Sequence, residues 1–236
     1  MPKSLEGQLA LVTGASRGIG AAIAEALARE GAHVVLTART AAGLEEVEDR
    51  IHGAGGSATI APLDLTDGES IARLGIAVAG RWSALDILVL NAAMLGSLTP
   101  VPQIDGKEFN RLLTLNVLAQ QALIATFDPM LRKSRAGRLL ALTSHVGQHP
   151  RAYWGAYGAS KAALDNLVLA YADEVRNLAP LKVAIVDPGA TATKMRARAY
   201  PGEDPATLKQ PEVVGEAVVE LLRGDFETGH RLVVPK

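Results

Sequence analysis

With 236 residues, 48% of them hydrophobic, the chain has apolar material for one sizeable core, and a single domain over 1–236 is expected. Its 24 basic and 25 acidic residues leave a formal charge of −1, so no net field draws it to nucleic acid or to an anionic membrane, and neither is expected as a partner. Cysteine is absent, which removes disulfides and thiolate chemistry; the start Met1-Pro2-Lys3-Ser4 lacks the apolar run of an export signal, and no apolar stretch approaches the roughly 20 residues of a membrane span, so a cytoplasmic location is expected.

Short β-rich apolar runs alternate with longer stretches of helical spacing, the pattern of a parallel sheet covered by helices on both faces. The first run, 9–13, ends in Thr13-Gly14-Ala15-Ser16-Arg17-Gly18-Ile19-Gly20 and passes into a helix predicted over 18–30. A glycine-rich turn at this place is where a dinucleotide pyrophosphate rests on a helix amino terminus. Gly14 permits a tight turn, Gly18 a close approach of backbone to phosphate, and Gly20 close packing of helix on strand. The second strand, 33–37, is followed by Ala38-Arg39-Thr40, with no acidic residue between Glu30 and Glu45. An acid there would bind the ribose hydroxyls of NAD and repel a 2′-phosphate. Arg39 and Arg17 suit a phosphate instead, so NADP(H) is expected in preference to NAD(H).

A helix over 41–53 leads through the flexible join Gly53-Ala54-Gly55-Gly56 to a strand over 58–62, then Asp64-Leu65, a helix over 67–79, and a strand over 86–90 ending at Asn91-Ala92-Ala93. One long helix over 107–134 follows; Leu112, Leu115, Leu118 and Ala119 recur on it at helical spacing and are assigned to the core or a subunit interface. The strand over 137–143 delivers Ser144, the helix over 156–178 carries Tyr157-Gly158-Ala159-Ser160-Lys161, and the strand over 182–186 leads to Pro188-Gly189. Residues 192–210, with Tyr200-Pro201-Gly202-Glu203-Asp204-Pro205, read as one long irregular region and a candidate substrate lid. A helix over 211–222 and a strand over 231–234 complete a Rossmann-type α/β pattern: three layers, with a doubly wound, parallel, seven-stranded sheet and right-handed crossovers.

In this order and at these spacings the chain resembles the short-chain dehydrogenase/reductase family. The resemblance spans nearly the whole chain, from the Gly-x-x-x-Gly-x-Gly loop through Asp64-Leu65, Asn91-Ala92-Ala93, Asn116, Ser144 and Tyr157 with Lys161 to Pro188-Gly189. The interval from Ser144 to Tyr157, 157 − 144 = 13, also agrees with the family. Ala93 departs from it, standing where many relatives have the glycine of Asn-Ala-Gly. The resemblance implies a nicotinamide cofactor held by Gly14, Ser16, Arg17, Gly18, Ile19, Gly20, Arg39, Asp64, Leu65, Asn91, Ala92, Ala93, Tyr157, Lys161, Pro188, Gly189, Thr191 and Thr193. It implies hydride exchange with a small-molecule carbonyl or alcohol, no metal, and a homodimer or homotetramer built on the 107–134 and 156–178 helices.

Tyr157 and Lys161 are four residues apart on a predicted helix, so their side chains share a face about one turn apart. A free phenol titrates near pH 10; bringing it near pH 7 takes about 4 kcal/mol, which is also roughly what an ammonium at about 4 Å supplies when the effective dielectric is near 20. Lys161 is therefore expected to lower the Tyr157 pKa. Ser144 can donate a hydrogen bond to a substrate oxygen. By resemblance, Tyr157 transfers the proton, Ser144 positions the substrate, Lys161 also binds the ribose, and Asn116 extends a proton relay through water, although an amide within a helix faces solvent by default. His145, His149, Arg151 and Trp154 either line a substrate cleft or merely pack beside it. Lys194, Arg196 and Arg198 read as solvated charge in the lid. A nucleotide-sensing regulatory protein on the same fold is the alternative, but it has no physical need for Asn116, Ser144, Tyr157 and Lys161 together; an oxidoreductase is the expectation, and its substrate is not legible.

Overall fold

The inner strands are apolar runs because they are covered on both faces. A computed structural model describes residues 3–178 and 180–235; Met1, Pro2, Ala179 and Lys236, included in the expected domain over 1–236, lie outside the described residues. The strands are β1 (Leu9–Thr13), β2 (His33–Thr37), β3 (Ser57–Ile60), β4 (Ile87–Leu90), β5 (Gly137–Leu142), β6 (Leu181–Asp187) and β7 (His230–Val233). All pair in parallel, in the order β3-β2-β1-β4-β5-β6-β7. The chain winds outward from β1 to β3, then returns to place β4 on the other side of β1. At that reversal the loops leaving β1 and β4 diverge, which opens a crevice at the carboxyl ends of the strands.

The helices are α1 (Gly18–Arg29), α2 (Ala41–Gly53), α3 (Gly68–Ala79), α4 (Gly106–Leu113), α5 (Ala119–Leu131), α6 (Gly155–Val175), α7 (Lys194–Ala199) and α8 (Pro211–Arg223). The two-residue period of a strand divides the core: Ala10, Val12, Ile87 and Val89 face one side, Leu9, Leu11, Leu88 and Leu90 the other. On the first side they meet Ile23 and Leu27 of α1, Leu44 and Val47 of α2, and Val214 and Val218 of α8. On the second they meet Ile71 of α3, Leu123 and Phe127 of α5, and Leu164 and Val168 of α6. Among the described residues no helix is long and apolar enough to cross a membrane.

Two expectations are corrected. The helix expected over 107–134 is divided into α4 and α5 by a π-helical turn at Thr114–Leu118, where the hydrogen-bond step lengthens by one residue. Residues 192–210 are not one irregular loop: they hold α7 and a 3₁₀ turn at Pro205–Thr207, capped by the side chains of Thr193 and Asp204. The stretch is also pinched at its neck, where Thr191 bridges to Lys209 and the Ala192 N–H donates to the Lys209 carbonyl oxygen at 2.9 Å.

Candidate active site

β1 ends at Thr13, whose buried hydroxyl donates to the Val89 carbonyl oxygen at 3.2 Å and accepts from the N–H groups of Asn91 (2.9 Å) and Ala92 (3.0 Å). The Asn91 amide donates back to the Thr13 carbonyl oxygen at 2.8 Å. These bonds bolt β1 to β4 at the mouth of the crevice. Gly14 follows with φ +65°, and a Cβ there would stand 2.9 Å from the Asn91 amide nitrogen, so the turn needs glycine on both counts. A Cβ on Gly20 would fall 2.3 Å from the Gly14 carbonyl oxygen; Gly20 thus packs α1 onto the loop itself, not onto the strand as expected.

Ser16 and Ile19 are half-buried and Arg17 is exposed beside this turn. The first turn of α1 carries no acidic residue, which leaves the positive end of its dipole uncompensated. Beyond β2, Arg39 is exposed and its charge reaches Asp64. The Asp64 carboxyl is held below its usual range first by hydrogen bonds from the Thr66 N–H (2.9 Å) and hydroxyl (2.8 Å), then by the Arg39 guanidinium. Leu65 is buried beside Asp64, while Ala92 and Ala93 are half-buried beyond β4. Across the crevice, the Gly189 N–H donates to the Asp187 carboxylate at 3.0 Å and the Thr191 hydroxyl to the Pro188 carbonyl oxygen at 3.1 Å. Thr193 then comes within reach of the glycine loop, its methyl 3.6 Å from where a Gly18 Cβ would be. The loops after β1, β4 and β6 therefore meet around one space.

Asn116 lies in the π-turn and is fully buried, not solvent-facing. Its amide is satisfied on both sides: the nitrogen donates to the Met94 carbonyl oxygen (2.9 Å) and the Ser160 hydroxyl (3.0 Å), and the oxygen accepts from the Met94 N–H (2.9 Å). Ser160 in turn donates to the Tyr157 carbonyl oxygen at 2.7 Å, so Asn116 ties the loop after β4 to the turn of α6 that carries Tyr157. Ser144 leaves β5 in extended conformation, half-buried, and its hydroxyl has no hydrogen-bond partner among the described residues. Two glycines press its turn onto α6. A Cβ on Gly147 would come 3.1 Å from the Lys161 backbone, and one on Gly158 would come 2.9 Å from the Val146 carbonyl oxygen.

Tyr157 is buried, with Trp154 edge-on at 5.9 Å between ring centres. Lys161 is buried as well; its ammonium donates to the Leu142 carbonyl oxygen at 2.8 Å and lies 5.8 Å from the centre of the Tyr157 ring. The net shift of the Tyr157 phenol is upward, where a fall was expected. Burial pushes the phenol above its ordinary value and the Asp187 carboxylate pushes it further, while the ammonium is turned toward a main-chain oxygen. Burial brings Lys161 down to about 8, against the opposing pull of Asp165 and Asp187. In this state Tyr157 is a protonated acid.

Residues 192–210 pack against Trp154, the neighbour of Tyr157. Tyr200 packs against Trp154 at 5.8 Å, and its hydroxyl accepts from the Arg151 guanidinium at 2.5 Å. Arg196 lies 3.8 Å from the centre of the Tyr200 ring and pairs with both carboxylate oxygens of Glu203 at 2.5 and 2.6 Å. Trp154 therefore links residues 192–210 to Tyr157 while Arg151 holds Tyr200, whereas His145 and His149 stack on each other at 4.0 Å and stay exposed. Lys194 and Arg198 are exposed, as solvated charge should be, but Arg196 is neutralised.

Several residues that shape the site were not anticipated. Gln120, buried, donates to the carbonyl oxygens of Ala92 (3.1 Å) and Leu115 (2.9 Å) and steadies the loop after β4. Asp165, Asp187 and Arg231 gather near Lys161. A signal existed for two of them: Gln120 and Asp165 each stand four residues beyond a residue already singled out, Asn116 and Lys161, and so share its helical face.

Residues 8–204 match the family profile described as short chain dehydrogenase. Uncharacterized oxidoreductase YciK of Escherichia coli (strain K12) is 37% identical over 210 residues, which are 88% of this chain and 82% of the relative. The crystal structure of a short chain dehydrogenase from Salmonella enterica serovar Typhi superimposes with a TM-score of 0.95 at 34% identity, covering 100% of this chain and 99% of that one. A structure from Escherichia coli CFT073, provisionally described as a short chain dehydrogenase and complexed with NADPH, superimposes at 0.93 with 35% identity and 100% coverage of both chains.

Proposed function

The chain belongs to the short-chain dehydrogenase family, and from that membership we propose that it is an oxidoreductase moving a hydride between NADP(H) and the carbonyl or secondary alcohol of a small molecule, with Tyr157 transferring the proton. The observation that carries this reading is the seating of the Ser144 turn on the face of α6 that holds Tyr157 and Lys161, beside the glycine loop's crevice.

The residues fit the cofactor. The glycine turn and the uncompensated end of α1 would take the pyrophosphate, and Arg17 with Arg39 would take a 2′-phosphate. Asp64, Leu65, Asn91, Ala92, Ala93, Pro188, Gly189, Thr191 and Thr193 would border the remainder. The NADPH carried by the structure from Escherichia coli CFT073 supports the same choice. When bound, the nicotinamide supplies or accepts the hydride.

The chain's own groups do the rest. Ser144 offers its unpartnered hydroxyl to the substrate oxygen. Tyr157 begins protonated, because burial disfavours the phenolate, and gives its proton to the oxygen as negative charge develops there. Lys161 holds a positive charge within reach of the phenolate that remains, and Asn116 keeps the adjoining loop in place for a relay. Exposed Leu118 in the π-turn and Leu169 on α6 support a homodimer or homotetramer using these helices.

The test is NADPH consumption across aldehydes, ketones, quinones and acyl-thioester ketones. Tyr157→Phe is expected to lower kcat by at least about 100-fold while NADPH affinity stays nearly constant. A near-normal rate in that variant would remove Tyr157 from the mechanism.

A further inference from the structure

Beneath Lys161 lies a layer of buried charge that the proton transfer just described does not use. Asp165 stands one turn beyond Lys161 on α6 and is buried. One of its oxygens accepts from the Thr143 hydroxyl, and the other pairs with the Arg231 guanidinium at 2.7 Å. Thr143 directly precedes Ser144 at the end of β5, and Arg231 reaches in from β7 at the sheet edge. A lone carboxylate in this position would be costly to bury, and the Thr143 hydroxyl and the Arg231 guanidinium offset that cost.

Resting on the roles given above to Tyr157 and Lys161, we propose that Asp165, clamped by Arg231 and Thr143, is a positioning residue that keeps Lys161 charged and holds the strand end presenting Ser144. The charges that reach Lys161 are Asp165 on its own helix and Asp187 on β6. Tyr157 shares the helix, and Arg231 acts from β7 through Asp165. From β5 and the π-turn come only neutral groups, the Leu142 carbonyl, Thr143 and Asn116, and His145 on the turn after Ser144 is exposed.

The arrangement predicts shifts of opposite sign. Asp165→Asn removes a negative charge and leaves Arg231 unopposed, so Lys161 gives up its proton more easily and the alkaline limb of kcat against pH moves down by about 1 unit. Arg231→Gln removes a positive charge, so the limb moves up, and the double variant returns toward the parent. A side chain that merely braces the fold would lower rates in both variants without moving the limb, or would move both limbs the same way; either result overturns the proposal. The 15N shift of the Lys161 Nζ in lysine-labelled protein, assigned with Lys161→Arg, reads the same midpoints without turnover. Opposite Nζ shifts in a chain that reduces no carbonyl would uphold the positioning role and sink the oxidoreductase reading. Unmoved midpoints in an active enzyme would do the reverse. Should Asp165→Asn fail to fold, Arg231→Gln, on the edge strand, carries the test alone through its upward shift.

Discussion

Arg39 stands at the end of β2, where an acid would take the ribose hydroxyls, and its charge already reaches Asp64 across the crevice rim. A guanidinium-to-phosphate contact contributes about 1.5–3 kcal/mol, so Arg39→Ala is expected to weaken NADPH binding roughly 10- to 100-fold and leave NADH nearly unchanged. Titration calorimetry with both coenzymes checks this, and an equal loss for the two would make Arg39 an ordinary surface side chain. At the same scale, Tyr157 shows why position along a helix is not the same as contact. Four residues of spacing put Lys161 on the right face, but the ammonium went to the Leu142 carbonyl oxygen, a partner 19 residues away in sequence. Burial then decided the direction of the phenol's shift.

At the scale of elements, the site depends on how closely the Ser144 turn sits on α6. Gly158 allows that approach; Gly158→Ala must push Val146 and the helix apart, since its Cβ would lie 2.9 Å from a carbonyl oxygen. Small misplacements of reacting groups are expensive, so a fall in kcat of roughly 10-fold is expected with little change in the KM for NADPH, measured by steady-state kinetics. The strands and most helices were legible because doubly covered strands read as unbroken apolar runs between glycine-rich turns; β1, β2 and α2 have the expected bounds. The π-turn was not, because one inserted residue hardly disturbs an apolar pattern that stays in phase on both sides. Burial of Asn116 was hidden for a related reason: it depends on Met94 and Ser160, which only the folded topology brings to it. α7 escaped notice because its six residues, Lys194–Ala199, are all exposed or half-buried and so carry no amphipathic period, though Thr193 before it was a capping signal.

For the whole molecule, the same buried groups set how stability responds to alkali. Tyr157 and Tyr171 are both raised, Tyr171 by burial and by its hydrogen bond to Asp128 at 2.6 Å. A phenol raised in the fold contributes stability in full below its ordinary value near 10, and that contribution is lost as pH climbs past it, because the unfolded chain ionises first. Lys161 has the opposite sign: held down to about 8 when folded, it adds stability as pH rises from there toward its ordinary 10.5, where only the unfolded chain keeps the proton. The urea midpoint is therefore expected to hold or rise between pH 8 and about 10 and to drop above it, with Tyr171→Phe softening the drop. A midpoint in Tyr171→Phe that falls as steeply as in the parent would show that this phenol is not responsible. Scale also matters for what can be exchanged. Because Thr191 and Lys209 are bridged neighbours, the backbone departs from the scaffold and rejoins it at almost one point. A segment tethered so narrowly can vary in length and shape between those two positions without altering strand register.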